Sequence, residues 1–359
     1  MPGQNHHHDI LVIGASAGGV EAVRDLVGNL PLDLPAAVFV VVHLHPASDS
    51  RLAEILSSEH GLQASTARHG ASIRPGHVWV APPDHHLMVR RGKMEVVRGP
   101  RENGHRPAVD VLFRTAAAAY GPRVVGVVLT GYLDCGTAGL LSIKARGGLA
   151  VVQDPAGAFA PSMPMSAIQN VRVDRVATLE SMPGVLDHLV RQSAGRAARP
   201  VGRQVKAADG SQAGSSSVEL VCPSCQGKLT VSDVGGFKEF RCNVGHAFSS
   251  QGLAAAQADE VERALWAAIR ALEDAAGLSQ RVGATMSGAM RARFVEREKD
   301  QRSYAGVVRD ILLHGRVLSP QDSSAMGAPL EEGGPRRKRA RQRRHPAGAK
   351  AGAKVRRRL

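Results

Sequence analysis

Aromatic residues are only 3% of this 359-residue chain, so its core must be packed mostly from Val, Leu, Ile and Ala. Cysteine is scarcer still. The four residues Cys135, Cys222, Cys225 and Cys242 are too few and too clustered for a disulfide framework. No apolar run is long enough to span a bilayer, and the N-terminus lacks a signal-peptide pattern; a cytoplasmic protein is expected. Acid is missing from one end. From Pro335 to Leu359 there are twelve Lys and Arg and no Asp or Glu, which accounts for twelve of the net charge of +14 and leaves +2 on the rest. The basicity therefore belongs to a tail. What remains is ordinary: 43% hydrophobic residues and a length that fits one medium α/β domain plus something smaller.

The chain is organised around Ile10-Leu11-Val12-Ile13-Gly14-Ala15-Ser16-Ala17-Gly18-Gly19. Ile10 to Ile13 reads as a buried parallel strand, and Val20, Val23, Leu26 and Val27 as the apolar face of a helix. Gly14-x-Ser16-x-Gly18 between them has the spacing of a nucleophile elbow, in which glycines let strand and helix approach around an exposed serine. Backbone N–H groups at the helix start would face an oxyanion beside that hydroxyl. The same glycines also partly imitate a dinucleotide-binding turn, so a phosphate cradle is the competing reading.

Further along, Ala36 to Val42 is a second buried strand, ending at His43-Leu44-His45-Pro46, with Pro46 barring further pairing. Ser50 to Leu56 reads as a helix start. His77 to Pro83 and His86 to Val89 suggest a hairpin inserted at the sheet edge. Val109 to Ala119 is helical, Val124 to Thr130 is a third buried strand, and Gly131-Tyr132-Leu133-Asp134-Cys135-Gly136 follows it. A helix (Ala138 to Arg146), a strand (Leu149 to Gln153) and a Pro-rich loop through Met163-Pro164 come next. Alternating strands and helices with apolar strand runs predict a doubly wound, mostly parallel α/β sheet with helices on both faces. Sites in that architecture form beyond the carboxyl ends of strands, where Ser16, His43 and Asp134 all fall. A nucleophile, an imidazole base and a carboxylate are the parts of acyl transfer. His43 also reads as a plain strand-end histidine, and His45 is a decoy two residues on.

Residues 10 to about 190 resemble the catalytic domain of CheB-type chemotaxis protein-glutamate methylesterases. The resemblance is carried by Gly14 to Gly19, His43, Pro75-Gly76-His77-Val78-Trp79-Val80-Ala81-Pro82, Arg106-Pro107-Ala108-Val109-Asp110-Val111-Leu112-Phe113, Leu129-Thr130-Gly131 and Met163-Pro164. It implies Ser16 as nucleophile, His43 as general base, backbone N–H groups of Ala17 and Tyr132 at the oxyanion, and no catalytic cofactor. It also implies glutamate γ-methyl esters on chemoreceptor-type proteins as substrates, with glutamine deamidation by the same acyl chemistry. One position departs. The family's triad Asp immediately precedes the loop glycine, and Cys135 stands there, so Asp134 is expected to substitute from one residue away. Tyr132 replaces a family methionine at a position that contributes backbone. Only Met1 to Asp9 precede the first strand, so no N-terminal receiver domain is expected to gate the site.

Domain boundaries are expected at 1–192 (esterase), 193–217 (linker), 218–252 (zinc module), 253–318 (helical hairpin) and 319–359 (basic tail). The linker is rich in Ala, Gly, Arg, Gln and Ser. Cys222-Pro223-Ser224-Cys225, Cys242 and His246 have the spacing of a closed structural Zn2+ site, with Lys228 to Val231 and Phe237 to Phe240 as short strands. Val261, Leu265, Ile269 and Leu272 recur at helical spacing, a second helix is expected over Met290 to Leu313, and Gly277, Gly283 and Gly288 mark the joint. The tail could contact a polyanion, nucleic acid, anionic lipid or an acidic protein, or merely solubilise.

The residues leave three rivals to the esterase. A nucleotide-dependent reductase would need an acidic residue closing the second strand, which Val40-Val41-Val42-His43 lacks. A nucleic-acid binder built on the zinc module and tail leaves the first domain unexplained. A catalytically weak or inactive esterase-like scaffold is kept alive by Cys135.

Overall fold

The computed structural model describes residues 7–48, 50–57, 61–195 and 216–314. Most of the linker expected at 193–217 and all of the tail expected at 319–359 lie outside these residues.

Strands β1 (Ile10–Ala15), β2 (Ala37–Val42), β3 (Gln63–Thr66) and β4 (His77–Val80) form one half of a seven-stranded sheet. Two further strands, β5 (His86–Arg90) and β6 (Lys93–Val97), make a separate antiparallel hairpin. The sheet is completed by β7 (Val124–Val128), β8 (Leu149–Gln153) and β9 (Arg175–Ala177), in the order β3-β4-β2-β1-β7-β8-β9. Every pairing in it is parallel. β1, β2 and β7 are buried along their whole length, as continuous β-branched runs require when helices cover both faces.

Helices α1 (Gly19–Gly28) and α2 (Leu52–Leu56) contribute Val23, Leu26, Leu52 and Leu56 to one face of the sheet. The other face is packed by α3 (Val109–Tyr120), α4 (Thr137–Lys144) and α5 (Ser162–Asn170), through Leu112, Phe113, Leu140 and Met163 among others. Helix α6 (Met182–Arg191) returns to the first face with Leu186 and Leu189. The chain builds outward from β1 through β2 to β4 and β3, then restarts on the opposite side of β1 with β7. The crevice at that reversal, beyond the carboxyl ends of the strands, is where ligands bind in open parallel sheets.

Two expectations for the sheet domain are corrected. Residues 77–80 join the parallel sheet against β2 rather than a hairpin; the hairpin pairs β5 with β6. Met163-Pro164 opens α5 rather than lying in a loop, because a proline in a helix's first turn replaces an N–H that has no intrahelical partner.

The C-terminal half begins with a four-stranded antiparallel sheet, β10 (Ser216–Val221), β11 (Lys228–Val234), β12 (Phe237–Cys242) and β13 (Ala247–Ser249). Helices α7 (Ser250–Ala284) and α8 (Gly288–His314) follow. They run antiparallel, joined by Glu273 to Arg309 and by Ser279 Oγ donating to Gln301 Oε1 at 2.9 Å. Gly277 and Gly283 lie within α7, so the joint falls after Ala284. Among the described residues no helix is long and apolar enough to cross a membrane.

Candidate active site

Ser16 follows β1 directly, on a turn whose Gly18 has φ 70°, a left-handed conformation that glycine adopts without strain. The turn is tied down at both ends: Ser16 N–H donates to Thr130 O at 2.9 Å, and Gly19 N–H to Ser16 O at 2.8 Å. Thr130 Oγ1 donates to Ala17 O at 2.9 Å. Gly131 lies flat against the serine, since a Cβ there would fall 2.8 Å from Ser16 Cβ and overlap the Met163 sulfur.

His43 follows β2 and reaches the same point. Its Nδ1 lies 3.1 Å from Ser16 Oγ, within reach for proton transfer. Burial, reinforced by repulsion from His105, holds its pKa well below the ordinary histidine value, so the imidazole is neutral and able to accept a proton at pH 7. His45 is exposed and its Nδ1 accepts from Ala47 N–H in a local turn. Of the expected oxyanion donors, Ala17 follows Ser16 in sequence, and Tyr132 follows Gly131, which packs against that serine. The N–H groups of Ala17 and Tyr132 have no hydrogen-bond partner among the described residues.

Asp134 is not brought to His43. Leu133 at φ 62° and Gly136 at φ 98° wind the loop into the start of α4. There the Asp134 carboxylate accepts a 2.6 Å hydrogen bond from Ser249 Oγ, at the end of β13. Burial raises its pKa to about 6. Cys135 is buried, with its thiol pKa pushed well up by burial and by the Asp110 charge, so it stays neutral. Asp110, whose pKa burial also raises to about 6, accepts from Gly136 N–H at 3.0 Å and Gly139 N–H at 2.7 Å. It caps α4 from a distance.

Two residues at the site lie outside the sequence-based expectations. The His105 ring stacks on His43 with centroids 3.7 Å apart and planes 12° apart. It falls beside the Arg106-Pro107 stretch, but nothing local announces its partner. Ser249 caps α7, accepting from Gly252 N–H at 2.9 Å; a serine ahead of a helical pattern is a usable signal for that role.

In the C-terminal module, the ligand atoms of Cys222, Cys225, Cys242 and His246 all lie within 4.8 Å of one another. Cys225 Sγ and Cys242 Sγ are 3.6 Å apart, and His246 Nδ1 lies 3.8 Å from Cys222 Sγ and 3.6 Å from Cys242 Sγ. A tetrahedron of ligands about 2.3 Å from a central ion has edges of about 3.7 Å, so the donor set fits a four-coordinate cation. Gln226 N–H to Cys222 O at 2.7 Å and Gly245 N–H to Cys242 O at 2.9 Å close the tight turns that carry the ligands.

Residues 11–186 match the family model for CheB methylesterase. A Leptospira interrogans protein named for protein-glutamate methylesterase and protein-glutamine glutaminase activity is 39% identical over 177 residues, which are 49% of this chain and 92% of that protein. The protein-glutamate methylesterase/protein-glutamine glutaminase 1 of Geobacter metallireducens is 38% identical over 194 residues, 53% of either chain. The crystal structure of the Thermotoga maritima CheB methylesterase catalytic domain aligns with 51% of this chain and 98% of its own, at 34% identity and a TM-score of 0.49.

Proposed function

The chain belongs to the CheB methylesterase family, and we propose that its region 1–192 is a serine esterase acting on glutamate γ-methyl esters of chemoreceptor-type proteins in the cytoplasm. Deamidation of protein glutamine by the same chemistry, with ammonia as the leaving group, is part of the proposal. The observation that carries it is the 3.1 Å approach of Ser16 Oγ to His43 Nδ1 at the carboxyl ends of adjacent strands.

In this mechanism the ester carbonyl lies against the N–H groups of Ala17 and Tyr132. Ser16 Oγ attacks its carbon while His43 Nδ1 takes the hydroxyl proton, and the oxyanion is held by those donors. Collapse returns the proton from His43 to the departing methoxide, releasing methanol and leaving the γ-acyl group on Ser16. Water, deprotonated by the same nitrogen, then frees the glutamate carboxylate and the serine. No carboxylate is hydrogen-bonded to His43 among the described residues, so turnover slower than that of a full triad is expected; in a serine protease, loss of that carboxylate costs about four orders of magnitude.

Cys222, Cys225, Cys242 and His246 would hold Zn2+ in a closed, structural site within a module spanning about 218–252. Methanol release from methylated receptor, compared between the intact chain and Ser16→Ala, tests the esterase. Release that vanishes in the variant is expected. Release that persists would sink it, and an intact chain inert to both receptor and a fluorophosphonate probe would instead favour the scaffold that Cys135 suggests.

A further inference from the structure

With Nδ1 accepting from Ser16, the ring proton of His43 sits on Nε2, which is shielded from solvent and has no hydrogen-bond partner among the described residues. In a Ser-His-acid triad a carboxylate answers that donor and fixes the ring. Here Asp134 is engaged by Ser249, Asp110 by the α4 backbone, and Cys135 is neutral. The group lying flat on the imidazole is His105.

His105 is held in turn by the C-terminal module. It closes a tight bridge with Glu102, whose N–H donates to His105 O at 3.2 Å and whose carbonyl receives one back at 2.9 Å. Glu102 also bridges Ala247 of β13, where Asn103 N–H donates to Ala247 O at 2.7 Å and Ala247 N–H to Arg101 O at 3.3 Å. Ser249 N–H donates to Asn103 Oδ1 at 2.8 Å, while its hydroxyl donates to Asp134 on the 131–136 loop. Burial alone would raise the Glu102 carboxyl, but Arg114 of α3 and Arg241 of β12 hold it ionised between the two halves. β13 starts at the residue after His246, a member of the Cys3His cluster.

We infer that the Cys3His module is a positioning element of the esterase site. By bracing the 101–105 turn and the 131–136 loop, it lets His105 hold the His43 imidazole in line with Ser16, a task a triad carboxylate otherwise performs. The inference rests on Ser16 and His43 being the reacting pair.

The full-length protein tests it in two arms. The first strips metal with a chelator, adds Zn2+ back, and follows hydrogen exchange together with fluorophosphonate labelling of Ser16. Stripping is expected to raise exchange at least tenfold in residues 101–106 and 131–137 while β1, β2 and β7 stay protected. Labelling should slow at least tenfold, and Zn2+ should restore both. Unchanged exchange in those segments overturns the inference. The second arm compares His105→Ala with His105→Phe: the alanine variant should lose at least tenfold in kcat with KM within twofold, and the phenylalanine variant, which keeps a flat ring, should recover most of that loss. Equal loss in both variants, or in neither, overturns the role given to the stacked ring. An intact chain that never labels sinks the esterase reading instead, and the exchange arm still decides whether the module braces the two segments.

Discussion

The parallel sheet and the Cys3His module are held together by different forces, although they meet at one site. Each face of the sheet carries a large apolar cluster, with β1, β2 and β7 fully buried between them. The module's own buried cluster is Cys222, Leu229, Cys242, Phe248 and Leu253, and two of these five are candidate metal ligands. So small a core cannot offset the chain entropy of its four strands by burial alone. The cation proposed for the Cys3His cluster would supply the difference, together with a polar seam against the sheet domain. Ser16 and His43 thus stand on rigid ground, while His105 and Asp134 lean on a conditional neighbour.

Metal removal should break this comparison most visibly. Structural zinc in small domains contributes about 10 kcal/mol or more of folding free energy, so a chelator should abolish the module's order while the sheet domain keeps its thermal transition. Calorimetry in which both halves melt together, unaffected by chelator, would show that the module has a core of its own. Ser249→Ala is expected to come next. It removes the α7 cap and leaves the buried Asp134 carboxylate without its donor, for a cost of about 2–4 kcal/mol read as a lowered denaturation midpoint.

On the sheet side, Gly131→Ala should cost about 1–3 kcal/mol by overpacking, because its methyl would overlap Met163 and crowd Ser16. The damage should also show as slowed labelling of Ser16. Gly184 in α6 offers the opposite case: it is exposed, and an added methyl would meet nothing within 4 Å, so Gly184→Ala should stabilise by about 0.5–1 kcal/mol. A Gly131→Ala protein as stable and reactive as the parent would mean that the serine turn is not packed as described.

The same contrast explains what can be read in the residues. β1, β2, β7 and β8 are legible because buried parallel strands are unbroken apolar runs. The edge strand β3, Gln-Ala-Ser-Thr, has no such run and gives no strand signal. Ser16 and His43 converge because each ends a strand, a relation topology supplies once the strands are found. The destination of Asp134 depends on a serine 115 residues later, and that of His105 on a stacking contact. Neither leaves a local periodicity or spacing. The Cys3His cluster is legible because its spacing is that of a metal-ligand set, whereas the surface on which the module sits has no such spacing.

At the seam the expected effect is one of charge. Burial raises Asp134 and Asp110 each to about 6, against about 3.9 for an unfolded aspartate. Below about pH 4 both states hold the protons. As pH rises through 4 to 6 the unfolded chain ionises first, so stability falls over that window and the loss is complete above it. Two units correspond to about 3 kcal/mol, already net of the hydrogen bond that an ionised Asp134 accepts from Ser249. Asp134→Asn keeps an acceptor for that hydroxyl and removes the charge. It should therefore stabilise the protein by about 1–2 kcal/mol at pH 8 and by almost nothing at pH 4, leaving a shallower slope carried by Asp110. Denaturation midpoints of parent and variant measured across that range decide it. A variant less stable than the parent at pH 8 would mean that the carboxylate is held ionised by favourable contacts, and that the seam is an attractive charge site rather than a strained one.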